Sequence, residues 1–193
     1  RDWEFISEAI KKFKISSVLE FGAGLSTLLF NEVLSSGVCT FETNHGWIEK
    51  IKKLNPACQI QSWDGETLHL GSRFDMAFVD GPAGDIGRKV STKEASEHAD
   101  IVIIHDAGRE WARKYQDEYL KDGFDGPVKG GHRCHLWTRK KTKSFLEMVA
   151  EEEENESWEA PPNAIECKPM KVGCKHIKIV STARGWGGCA RSV

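Results

Sequence analysis

A short apolar run, Ser17-Val18-Leu19-Glu20-Phe21, breaks into Gly22-Ala23-Gly24 and resumes from Ser26 with helical spacing through Leu28, Leu29, Val33 and Leu34. Strand, tight glycine turn and helix, in that order, open a nucleotide-binding βαβ unit. Glycine lets the backbone bend sharply and approach a ligand closely. The first helical turn carries N–H groups with no intrahelical partner, which can meet that ligand. A second apolar run, Val38-Cys39-Thr40-Phe41, ends on Glu42. That is about 20 residues past the turn, where such a unit places an acid against two ribose hydroxyls.

The rest of the chain repeats the theme, which predicts strand and helix alternating through five strands before two closing strands. Trp3, Ile6, Ala9, Ile10 and Phe13 predict an amphipathic helix over 2–14. Asn44 is placed to cap a helix bearing Trp47, Ile48, Ile51 and Leu54, with Pro56 beyond its end. Residues 58–63 alternate as a third strand that runs into Asp64-Gly65-Glu66. Phe74 to Val79 is nearly continuous in apolar residues, as a central parallel strand covered on both faces would be, and ends in Asp80-Gly81-Pro82. The glycine-rich stretch up to Arg88 reads as a loop, with Arg88 either a clamp for an anionic group or solvated. Ser91-Thr92-Lys93-Glu94 fits a capping box that opens a short helix to His98. A second fully apolar strand, 100–104, ends in His105-Asp106. A helix over 108–121 and two closing strands, within 124–131 and 134–138, complete the pattern.

Ligands in open α/β sheets sit outside the carboxyl ends of the strands. Asp80, His105 and Asp106 therefore share one rim with the glycine turn and are the candidate catalytic residues. A carboxylate–imidazole pair there could take a proton from a hydroxyl. Alternatively, Asp80 and Asp106 could share a hard cation such as Mg²⁺, so the metal remains open.

Glu20-Phe21-Gly22-Ala23-Gly24 followed by Ser26-Thr27 resembles motif I of class I S-adenosylmethionine (SAM) methyltransferases. The resemblance covers residues 1–140 and implies a Rossmann-like α/β fold, with a seven-stranded, mostly parallel sheet and helices on both faces. It implies that SAM is held by Glu20, Gly22, Ala23, Gly24, Ser26, Thr27 and Glu42, with Trp63 and Asp64 at the adenine. The His105-Asp106 ending resembles the fifth strand of sugar and small-molecule O-methyltransferases, which implies a hydroxyl acceptor over Asp80. Two rival readings use the same residues. An NAD-dependent oxidoreductase would want a third glycine where Thr27 stands. A non-catalytic domain of this fold would serve as a scaffold.

The chain has 193 residues, with a formal net charge of −2. The length suits one α/β domain with a core and an appendage, and the charge gives no general pull toward nucleic acid. No apolar run reaches the ~20 residues that span a bilayer. The six cysteines form no CxxC pair, although His132, Cys134 and His135 with Cys167, Cys174 and His176 offer a zinc alternative. A reducing, cytoplasmic setting is the expectation. Residues 141–173, with Glu151 to Glu154 and Pro161-Pro162, read as a charged linker. Residues 174–193 hold a strand-like run, 175–180, and a turn, Gly185-Trp186-Gly187-Gly188. That tail resembles the first strand and glycine loop of GT-B glycosyltransferases. It implies a fused glycosyltransferase, a longer enzyme and a glycan acceptor.

Overall fold

The computed structural model describes residues 1–34 and 37–140, and the backbone of 164–166 and 180–182. The chain divides into two compact units, 1–151 and 152–193.

In the first unit α1 (Asp2–Lys12) precedes β1 (Val18–Phe21), and α2 (Leu25–Val33), β2 (Val38–Glu42), α3 (His45–Leu54) and β3 (Ile60–Ser62) follow. Then come β4 (Phe74–Val79), α4 (Asp85–His98), β5 (Ala99–Ile104), α5 (Glu110–Tyr119), β6 (Phe124–Gly130) and β7 (Cys134–Arg139). The seven strands form one sheet in the order β3-β2-β1-β4-β5-β7-β6. The first five run parallel, and β7 is antiparallel to both β5 and β6. The order reverses between β1 and β4, and a crevice opens at such a switch point.

The apolar strands are continuous because both faces are covered. Ile101 and Ile103 of β5 join Ile6, Ala9 and Ile10 of α1 and Phe30 of α2 in one core. Val102 and Ile104 point the other way, to Ala95, Leu120 and Trp137. Period-two alternation along one strand thus feeds two cores. Pro127 removes a ladder donor, and it sits where the register shifts in β6, at the sheet edge, the place a strand tolerates it.

The strict alternation of strand and helix fails between β3 and β4. Residues 63–73 contain no helix. Leu68 and Leu70 pack half-buried on the second core, and the Trp63 indole N–H donates to the Thr67 carbonyl at 2.8 Å. A second correction concerns α4, which starts at Asp85 rather than at Ser91. The Ser91 hydroxyl does not cap; it bonds back to the Arg88 carbonyl within the helix. The stretch expected as a loop up to Arg88 is therefore mostly helix.

In the second unit, β8 (Ala164–Glu166) pairs antiparallel with β9 (Val180–Thr182). A short hairpin of strands thus falls partly where a linker was expected. Apart from 180–182, the glycosyltransferase-like tail, with its glycine turn at 185–188, lies outside the described residues.

Candidate functional site

The turn after β1 packs backbone to backbone on the turn after β4. Gly22 has φ +99°, and a Cβ built there would stand 2.7 Å from the Gly81 nitrogen. Only glycine combines that conformation with that approach. Gly24 differs, since a Cβ there would meet nothing within 4 Å. It faces open space at the N-cap of α2, where no side chain caps the first-turn N–H groups.

Beneath the turn lies Glu20, fully buried. Its carboxylate accepts from the hydroxyls of Ser26 (2.5 Å), Thr27 (2.7 Å) and Thr40 (2.8 Å). Burial pushes its pKa up to about 7, against the pull of those three hydroxyls. Thr27 also accepts the Gly24 N–H at 3.0 Å. Glu20, Ser26 and Thr27 thus form a polar knot that fixes the turn from below.

Glu42 closes the loop from the side of β2. One oxygen accepts the Ala23 N–H and the other the Asn44 N–H, both at 2.7 Å. A carboxylate has about four lone-pair sites, so acceptor capacity remains.

These residues border a cavity of about 700 Å³. It is lined by the glycine turn, by Glu42 to Asn44, by Leu25 and Leu28 of α2, by Trp47, Lys50, Ile51 and Leu54 of α3, and by Asp80 to Ala83. Trp63 and Asp64 are not among the lining residues. Trp63 is buried against Phe21, with ring centroids 5.6 Å apart. Asp64 is exposed and accepts the N–H groups of Glu66 and Thr67, which hold its pKa below the ordinary value. It shapes an Asx turn.

On the far side of the switch point the candidates pair differently from their order in sequence. His105 Nδ1 bonds Asp80 Oδ1 at 2.7 Å, while its Nε2 faces Asp2 Oδ2 at 3.6 Å. The Asp80 hydrogen bond raises the His105 pKa above its ordinary value, against burial. Asp106 turns instead to two arginines, Arg109 at 2.5 Å and Arg133 at 3.1 Å. Burial opposes its charge, but the Arg133 hydrogen bond and the positive charges of His105, Arg109 and Arg133 hold its pKa low.

Three participants gave little signal in sequence. Asp2 reads as a helix-start acid, yet it also accepts the backbone N–H groups of His132 and Arg133. Arg133 sits in a turn 27 positions from Asp106. Arg88 is neither a substrate clamp nor solvated. It is 3% exposed, and its guanidinium donates to the carbonyls of Val79 (2.7 Å) and Asp80 (2.8 Å), bracing the end of β4.

Of the two acids considered for a shared cation, Asp106 has an arginine on each oxygen, whereas Asp80 bonds His105 through Oδ1. The arrangement does not suit zinc at 132–135: Cys134 is buried in the α1 core, and burial pushes its thiol up to about 12. Cys39, Cys58 and Cys134 are free thiols, while Cys167, Cys174 and Cys189 lie outside the described residues. Among the described residues, Glu94, Glu97 and His98 do lie at metal-ligand spacing, but Lys93 already pairs Glu97 at 2.8 Å. Nor is any helix among them long and apolar enough to cross a membrane.

No protein-family model matches the chain, and no curated protein matches it in sequence. Solved structures do match in shape. The Thermoplasma acidophilum protein 1320 aligns over 72% of this chain and 88% of its own, at TM-score 0.52 and 16% identity. The 16S rRNA methyltransferase RmtF, in complex with S-adenosyl-L-homocysteine, aligns over 71% of this chain at TM-score 0.51 and 12% identity. DesVI of Streptomyces venezuelae aligns over 50% of this chain at TM-score 0.42 and 16% identity. The chain spans 61% of the length of RmtF and 45% of that of DesVI. The fold is the Rossmann-like methyltransferase fold. At these identities the likeness concerns the fold alone.

Proposed function

We propose that the chain is a SAM-dependent methyltransferase acting on a hydroxyl of a sugar or small molecule. One observation carries the reading: the open Gly24 face, Glu42 and Asp80 border a single cavity of about 700 Å³ at the switch point. That is where a mononucleotide-bearing ligand belongs in this topology. Gly24, Ala23 and the first turn of α2 would hold the amino-acid end of SAM. Glu42 would hold the ribose through its remaining lone pairs. Glu20 acts one layer below, through Ser26 and Thr27. SAM supplies an electrophilic methyl group on a sulfonium.

His105 then has a defined task. With Nδ1–H donating to Asp80, Nε2, which faces Asp2 Oδ2 at 3.6 Å, is the nitrogen left to accept a proton from an acceptor hydroxyl entering there. Asp80 fixes that tautomer and stabilises the imidazolium that results.

Against an NAD-dependent reading, Thr27 both accepts the Gly24 N–H and donates to Glu20. A glycine there, as the dinucleotide fingerprint wants, would remove both bonds. Titration calorimetry with S-adenosylhomocysteine (SAH) and with NAD tests the cofactor. Micromolar SAH binding, lost in Glu42→Ala, is expected. Binding of NAD in place of SAH would overturn the reading, and SAH binding without turnover on any hydroxyl acceptor would favour the scaffold.

A further inference from the structure

Among the described residues, Asp106 is one of two non-glycine residues with positive φ, at 53°. Such a conformation persists where surrounding contacts impose it. Here the Arg109 N–H returns to the Asp106 carbonyl and the Ala107 N–H bonds the Arg133 carbonyl, both at 3.1 Å. The result is a carboxylate aimed between two arginines. Oδ2 meets Arg109 Nη2 and Oδ1 meets Arg133 Nη1. One negative charge is thus shared by two positive ones.

The two guanidiniums are not consumed by this contact. Each has five N–H donors, and one of them goes to Asp106. Their side chains are 57% and 61% exposed, while that of Asp106 is 14% exposed. Arg109 is steadied by the Trp111 ring, 5.6 Å from its centroid. The nearby carboxylate of Asp80 addresses His105, and that of Asp2 faces His105 and the backbone N–H groups of His132 and Arg133. A half-exposed guanidinium pair with a net positive charge therefore stands beside the residue that would take the acceptor's proton.

We propose that Arg109 and Arg133, spread by Asp106, form a clamp that selects an acceptor bearing an oxyanion, a carboxylate or a phosphate, close to the hydroxyl to be methylated. This rests on the methyl-transfer reading of the same site. Guanidinium forks match both anions in a planar, two-point geometry that a lysine cannot copy. Without the clamp, Asp106 and Arg133 would be only a strut joining two loops, and the experiment separates these roles.

Glucose, glucuronate and glucose 6-phosphate differ only at C6 and are the probes. Their binding to the full chain is measured by calorimetry and saturation-transfer NMR, with and without SAH. At least one charged sugar should bind about tenfold or more tighter than glucose, as charge-assisted bidentate contacts allow. Preference for glucuronate marks a carboxylate acceptor, and preference for the phosphate ester a phosphorylated one. Arg109→Gln and Arg133→Gln should each remove most of that preference while melting temperature and SAH affinity stay unchanged. Arg133→Lys, which keeps the charge and the strut, should fold normally and still lose it. Equal binding of all three sugars, no binding of either charged sugar at millimolar concentration, or a preference surviving in the double Gln variant would overturn the clamp. SAH binding is the independent readout. A charged-sugar preference in a protein that binds no SAH keeps the clamp and sinks methyl transfer, and the reverse result does the opposite.

Discussion

Glu20 and Glu42, on the β1–β2 side of the switch point, have every carboxylate oxygen engaged by the loop they support. Asp80 and Asp106, on the β4–β5 side, hold partners that are themselves charged or titratable and that reach solvent. The first side is a rigid, pre-formed cradle built from backbone N–H groups and hydroxyls. The second is a rim of ionic pairs whose members have spare donors. A ligand common to many reactions suits the first, and a variable acceptor suits the second. Sites built this way keep the cofactor half fixed while the acceptor half sets specificity.

If that division is right, damage to the rim should abolish turnover and leave the cradle intact. His105→Gln should lower the rate about 10²–10⁴-fold, the usual contribution of a general base, with SAH affinity unchanged. The wild-type rate should rise with pH through a midpoint above the ordinary histidine value, since the Asp80 bond raises the His105 pKa. Asp80→Asn should move that midpoint down. A variant at His105 that keeps turnover within a factor of two would break the assignment. In the cradle, Gly24→Val places a side chain in open space, so the protein should fold while SAH affinity falls by about 100-fold, close to 3 kcal/mol. Gly22→Ala should instead lower the melting temperature, because its Cβ would strike the backbone of Gly81.

How far each side could be read from sequence follows from the same difference. The cradle is local: Glu20, the glycines, Ser26, Thr27 and Glu42 lie within 23 residues of one another, and their types announce the turn. Glu20 itself lies under the loop, bonded to Ser26, Thr27 and Thr40. The rim is assembled from distant segments. Asp80 meets His105 across parallel strands, and Asp2 and Arg133 arrive from α1 and the β6–β7 turn. His105-Asp106 looks like a pair, yet the chain leaves β5 after Ile104 and turns through the left-handed Asp106, so the two join different networks. Arg88, read as a clamp or a solvated side chain, braces β4 instead. A helical arginine gives no sign that strand-end carbonyls lie within its reach. The missing helix between β3 and β4 left no punctuation, because Trp63, Leu68 and Leu70 cover the core from an extended chain.

Glu20 sharpens the contrast through pH. Its folded pKa is raised from the ordinary 4.5 to about 7. The folded state then holds a proton that the unfolded chain has released between those values. Stability contributed at Glu20 is full below the ordinary value and falls as the pH rises toward 7, by roughly 3 kcal/mol in total. Glu20→Gln cannot ionise and should lack this fall. Chemical denaturation of both proteins at several pH values across that window reads the difference directly. Parallel pH curves would mean that Glu20 is charged throughout and that its three hydroxyl donors outweigh burial.

The smallest effect belongs to a carboxylate that serves neither side. Asp75 opens β4 at the end of the sheet away from the cavity. Its Oδ2 accepts the Ser16 hydroxyl (2.7 Å) and the N–H groups of Ser16 (2.8 Å) and Ser17 (2.9 Å). Burial works against its charge, but these bonds prevail and hold its pKa below the ordinary value. The sign is opposite to that of Glu20. Its contribution is present above the ordinary carboxylate value and fades as the pH falls through the depressed one. Asp75→Ala should cost about 1–2 kcal/mol at neutral pH, less in acid, because Ser16 is exposed and water can replace part of what is lost. SAH affinity and turnover should not change. If Asp75→Ala weakened SAH binding as much as Gly24→Val does, the cradle would depend on the whole β1–β4 pairing rather than on its own knot of hydrogen bonds, and its independence from the rest of the sheet would be lost.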